Sequence, residues 1–160
     1  LAASRNGTNL TVTGVSQFPG TPSALPLSDP IPGYAVVSIG EWAFNSSTSL
    51  ASIIIPGSVI SIGVSTFHSC TNMVTITVDD DNSVFCSVDG VLFNKSKTAI
   101  IRYPCGKTGT YAIPDSITTI GDKAFNGCAS LTSVNIPYNV TSIGNMAFDG
   151  FSPYLHHHPQ

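Results

Sequence analysis

The apolar positions of the chain fall into short runs that return at a fixed step. In SLTSVNIP (130–137), Leu131, Val134 and Ile136 mark a strand with one buried face. Pro137 has no N–H and ends or edges the ladder. Val140 and Ile143 begin a second short strand, and Gly144 takes a corner that needs positive φ or close backbone approach. Residues 145–148 are too few for a free helix, so a single helical turn held by packing is expected, with Ala147 and Phe148 pointing inward.

That pattern is written several times. IGNMAF (143–148) follows IGEWAF (39–44), IGVSTF (62–67) and IGDKAF (120–125). Gly40 and Gly63 are 23 residues apart, as are Gly121 and Gly144, Phe125 and Phe148, and Pro114 and Pro137. A repeat of this length is the signature of a solenoid, in which one coil cannot bury its apolar side and stacks on the next. The step from Gly63 to Gly121 is 58, twelve more than two periods. The excess lies in SVDGVLFNKSKTAIIRYP (87–104). There Asp89-Gly90 between apolar runs signals a two-residue hairpin, and 94–97 signals a second turn. A short antiparallel meander is expected over about 84–107, grafted onto the solenoid and offering a binding surface of its own.

The unit LxxVxIPxxVTSIGxxAFxxC resembles the leucine-rich repeat of BspA-type proteins. The segment DDDNSVFCSVDGVLFNKSKTAIIRYPCGKTGTYAIPDSITTIGDKAF resembles one found in the same family, in which a DGVLF hairpin leads to an RYP-containing strand. The resemblance covers about residues 31 to 151. It implies a leucine-rich repeat solenoid of short parallel β-strands and short helical turns, with ~23-residue repeats and an inserted antiparallel β-meander. On this reading 31–155 is the leucine-rich repeat domain, 1–30 an irregular N-terminal cap or linker, and 156–160 a disordered tail or tag remnant. The resemblance also implies an extracellular or cell-surface location and adhesion to extracellular-matrix proteins such as fibronectin and fibrinogen, or to neighbouring cells. It supplies no catalytic residues.

Composition narrows the partners. Only 9% of residues are charged, against roughly 25% in ordinary domains, and Ser, Thr and Asn fill the shortfall. With 6 basic residues and a net charge of −3, the chain lacks the clustered cationic face that nucleic acid requires. No stretch approaches the ~20 apolar residues of a membrane span. Without an initiator Met or a charged-then-apolar leader, the sequence reads as a mature or excised fragment.

Candidate chemistry is sparse. Cys70 and Cys128 occupy one slot of the repeat, and two coils apart they would be about 10 Å from each other, too far to bond. They are read as buried free thiols. Cys86 and Cys105 flank the meander and are placed to meet across it, although sequence alone assigns no pairing. Asp79, Asp80, Asp81 and Asn82 lack EF-hand spacing and read as a solvated turn. His68 is taken as an exposed polar residue, and the run His156–His158 as a solvated tail rather than a metal site. One glutamate, Glu41, and no GxSxG, Walker or dinucleotide fingerprint argue against an enzyme. No metal site or cofactor is expected. Five N-x-S/T sequons begin at Asn6, Asn9, Asn45, Asn94 and Asn139.

The candidate binding surface is the outward face of the strands. Alternation puts Ser52 and Ile54, Thr75 and Thr77, Thr110 and Ala112, and Ser133 and Asn135 there in successive coils. Small hydroxyl and amide groups with one Ile suit a wide, shallow contact, and they suit a plain solvated strand face equally well. Arg102, Tyr111, Trp42 and Tyr138 are candidate anchors, since Arg and aromatics dominate interface energetics. The leading expectation is a protein-binding module. A glycan-binding module and a structural spacer of a larger surface protein are the alternatives.

Overall fold

A computed structural model describes residues 2–14, 24–27, 33–151 and 154–157. The chain winds into stacked coils with two strand walls and one turn wall. In the first wall the strands Ala24–Pro26, Ser52–Ile55 and Thr75–Val78 form one parallel ladder. Gly109–Ala112, Leu131–Ile136 and Tyr154–His157 form a second. Register follows the sequence period: Ile53 lies beside Ile76, and Tyr111 beside Val134. In the second wall Asn9–Gly14, Ala35–Ile39 and Ser61–Ile62 run parallel, as do Ala99–Arg102, Thr119–Ile120 and Ser142–Ile143. Ala2–Asn6 closes the first end as an antiparallel partner of Asn9–Gly14.

The turn wall corrects one expectation. No helix occurs among the described residues. Within the turn, alternate amides bond locally and across to the next coil. Ala43, Asn45 and Ser47 donate to Gly40, Trp42 and Phe44, whereas Phe44 and Ser46 donate to Thr66 and His68. The same alternation links Lys123, Phe125 and Gly127 to Asn145, Ala147 and Asp149. An α-helix would send every amide to its own i−4 carbonyl and forfeit this ladder. The turn also carries left-handed residues at Trp42, Lys123 and Met146, with φ of 61°, 56° and 52°.

The glycine of the repeated word has a different job. None of Gly40, Gly63, Gly121 and Gly144 has positive φ. The Gly63 amide instead donates to the Ile39 carbonyl at 2.9 Å, and a Cβ on Gly63 would stand 2.5 Å from the Glu41 nitrogen. Gly121 repeats this against Ile100, whose carbonyl oxygen would lie 2.8 Å from an added Cβ. Close approach of consecutive coils is what demands glycine here.

The meander is the largest departure. Asp89 and Gly90 turn with φ of 51° and 79°, and Phe85–Val88 pairs antiparallel with Val91–Asn94, which pairs with Ala99–Arg102. The hairpin is not an outward graft. Val91, Leu92 and Phe93 are all buried, and their side chains divide between two cores. Leu92 packs with Phe85 in the cluster that contains Phe44, Ile53, Phe67 and Ile76. Val91 and Phe93 pack in the cluster that contains Ile100, Phe125, Cys128 and Val134. The hairpin also caps the edge of Thr75–Val78: Ile76 N–H donates to the Gly90 carbonyl, and Val78 N–H donates to Ser87 Oγ. Both walls break at this level, so the meander is an internal joint between two solenoid halves. Three consecutive apolar residues signify a strand buried on both faces.

Parts of 1–30 join the solenoid as well. Leu10, Val12 and Leu27 are buried with the first core, placing 2–14 and 24–27 in a coil where a cap or linker was expected. At the other end the backbone of His156 and His157 continues the parallel ladder beside Asn135 and Ile136. His158 lies outside the described residues.

Candidate binding surfaces

Strand alternation sorts the expected site residues into those that face out and those that face in. Ile54, Thr77, Thr110 and Ala112 are exposed, and Ser52, Thr75, Ser133 and Asn135 are half-buried. The register sets Ser52 beside Thr75 and Ile54 beside Thr77. Across the joint it sets Thr110 beside Ser133 and Ala112 beside Asn135. These pairs belong to two ladders, so the row is interrupted where Gly90 crosses Thr75.

Tyr111 and Arg102 belong inside. The Tyr111 ring lies 4.8 Å from that of Tyr103 and 6.1 Å from that of Phe125. Burial, with Tyr103 and Asp89 nearby, pushes its phenol well above the ordinary tyrosine range. Arg102 is 6% exposed. Its Nη1 donates to the Lys123 carbonyl at 2.6 Å, and its Nη2 donates to the carbonyls of Phe67 and Asn126 and to Cys105 Sγ, each at 3.1 Å. The third coil has no IGxxAF turn, and the guanidinium bridges the turns on either side of it. Sequence reasoning treated both residues as surface anchors because their coil lacks the repeated word that fixes orientation.

The cysteines pair differently from expectation. Cys105 bonds to Cys128 with Cα atoms 4.2 Å apart, while Cys70 and Cys86 are free. The separation is 23, one period, so the two cysteines are stacked equivalents in adjacent coils. Cys86 is half-buried and points to the Asn94 carbonyl across the hairpin. His68 is half-buried rather than exposed. Its ring meets Trp42 edge-on at 5.3 Å, and its Nδ1 is buried without a hydrogen-bond partner.

An exposed edge that was not on the strand face runs along the turns. Trp42 is 47% exposed, and Lys123 Nζ lies 5.1 Å from its ring centroid. Lys123 also donates to Ser65 Oγ at 2.7 Å, spanning the missing turn. Met146, in the same slot of the last coil, is 62% exposed. The varying letters of the repeated word, EW, VS, DK and NM, mark this edge in the sequence, except that Ser65 is buried under Lys123.

Among the described residues no group of three or more His, Cys, Asp or Glu side chains converges as metal ligands. Asn82 accounts for the acidic turn: it is buried, donates to the Pro56 and Val59 carbonyls, and accepts from the Val84 and Phe85 amides. Asp79, Asp80 and Asp81 beside it face solvent.

Residues 101–156 match the family described as BspA type leucine rich repeat region. Its repeats are BspA-type leucine-rich repeats. Solved structures agree. The BspA-type solenoid is similar to the pneumococcal vaccine antigen PcpA, with 29% identity over 75% of this chain and 30% of that one, at a TM-score of 0.67. A leucine rich cell surface protein of Faecalibacterium prausnitzii matches at 31% identity over 78% of this chain and 38% of that one, with a TM-score of 0.61. A leucine-rich repeat protein of Eubacterium ventriosum matches at 26% identity, covering 75% and 46%, with a TM-score of 0.56. The chain thus spans less than half the length of each of these relatives. A comparison with curated proteins gives no match. No helix among the described residues is long and apolar enough to cross a membrane.

Proposed function

We propose that this BspA-type solenoid is a cell-surface or secreted module that binds an extracellular-matrix or neighbouring-cell protein and performs no catalysis. The observation that carries the reading is the strand face. Ile54 and Thr77, and Thr110 and Ala112, stand exposed on register-matched parallel strands, with Ser52, Thr75, Ser133 and Asn135 between them. Such a surface is flat, uncharged and short-chained, and it loses little side-chain entropy when covered. It suits an extended protein surface better than a small solute. Tyr111 acts beneath it by packing on Tyr103 and Phe125, and Arg102 ties the turns together away from this face. The similarity to a protein named as a cell surface protein of Faecalibacterium prausnitzii, and to a pneumococcal vaccine antigen, supports the location.

Surface-plasmon binding to immobilised matrix proteins tests this. The wild type should bind saturably, and Thr77→Trp or Ile54→Asp should weaken binding by about tenfold or more. If neither substitution changes binding to a matrix protein that the wild type captures, the strand face is not the contact.

A further inference from the structure

The third coil passes through the joint without a turn, and the space is not filled. A cavity of about 250 Å³ lies between the turns of the second and fourth coils. Ile62, Val64, Phe67, Phe85, Leu92 and Ile101 make most of its wall, and Arg102 makes one part of it. The lining is thus apolar save for a buried cation, with Asp122 at the exposed rim.

Arg102 is poorly compensated. All its hydrogen-bond acceptors are neutral: three backbone carbonyls and a disulfide sulfur. Desolvation pulls the guanidinium down to about 10, and no carboxylate contributes to offset it. A buried charge is costly unless paired, so a bound anion would offset part of that cost. The contacts made by Nη1 and Nη2 occupy at most three of the five N–H donors. The donors left open are Nε–H and one Nη1–H, which lie on different edges of the guanidinium, so an incoming carboxylate takes a single charge-assisted hydrogen bond there.

We propose that the joint cavity binds small apolar monocarboxylates, with the carboxylate on Arg102 and the hydrocarbon body against Phe67, Phe85 and Leu92. The volume falls below the ~300–1,000 Å³ of drug-sized sites, so the ligand is one ring or a short branched chain. Asp122 at the mouth disfavours dicarboxylates, whose second charge would lie beside it. This site is separate from the strand face and stands whether or not that face binds protein.

The test is a ¹H–¹⁵N NMR titration of the whole chain with 3-phenylpropionate, and in parallel with the isosteric 3-phenylpropanamide. The acid should shift Gly63, Phe67 and Gly121 saturably and bind at least about tenfold more tightly than the amide. Val64→Trp adds bulk at an exposed position on the rim and leaves both cores intact. It should abolish the shifts while the spectrum stays folded. Arg102→Lys, which keeps the charge but lacks the Nε–H donor, should narrow the preference for acid over amide. No saturable shift by about 10 mM acid, equal affinity for acid and amide, or unchanged binding by Val64→Trp would each overturn the proposal.

Discussion

Phe125 and Phe148, one period apart, lie with ring centroids 5.0 Å apart and planes within 8° of parallel. Phe44 and Phe67 repeat the arrangement at 5.6 Å and 5°. Tyr103, in the coil without the repeated word, supplies the ring that stacks on Phe125 at 5.2 Å. The aromatic stack of the second core therefore begins at Tyr103, where the sequence signature is missing. Phe125 is fully buried, so Phe125→Ala should cost about 3–5 kcal/mol. Phe148 is half-buried in the last described turn, and Phe148→Ala should cost distinctly less. Chemical denaturation of the two variants measures both.

Glycine in the repeated word is held by backbone proximity. Gly63→Ala forces a methyl against Glu41 and should destabilise by about 1–3 kcal/mol through overpacking. Met146→Gly acts in the opposite sense. Its φ of 52° suits glycine, and relieving a left-handed residue is worth up to ~1 kcal/mol. Thermal melts that rank Gly63→Ala above wild type would refute the close-approach account.

The Cys105–Cys128 bond closes a loop of 23 residues within the second half. Constraining an unfolded loop of that size stabilises by roughly 3 kcal/mol. The double replacement Cys105→Ala, Cys128→Ala should lose about that amount in urea, and reductant should then leave the variant unaffected.

Alkaline stability depends on Cys70. Burial raises its thiol from 9.0 to about 11. Between those two pH values the unfolded chain loses the proton and the folded chain keeps it, so stability falls as pH rises through that window. The two-unit displacement corresponds to roughly 2–3 kcal/mol. Arg102, lowered by burial, acts in the opposite direction only above about pH 10. Cys70→Ala should flatten the fall between pH 9 and 10, below the range in which the raised phenols of Tyr103 and Tyr111 add their own loss, measured by urea midpoints.

The period, the inward Phe and Ala, and the hairpin at Asp89-Gly90 were legible because each is a local signal repeated or strongly typed. The helical turn was misjudged because inter-coil hydrogen bonds decide the turn's shape, and no local propensity encodes them. Cys105 and Arg102 were misplaced for a shared reason. Their coil lacks IGxxAF, so no marker fixed their slots, although a spacing of 23 from Cys128 was present in the numbers. The internal position of the meander was signalled by Val91-Leu92-Phe93, an unbroken apolar run that an outward hairpin would not carry. Leu10 and Val12 showed strand alternation too, but without the repeated word they read as irregular.

The central claim is that Val91–Asn94 joins two solenoid halves into one cooperative unit. Native-state hydrogen exchange on Phe93→Ala tests it most directly. The account predicts that amides of Ile53 and Ile76 in the first half lose as much protection as those of Ile100 and Val134 in the second. Loss confined to the second core, with Ile53 and Ile76 unchanged, would contradict it.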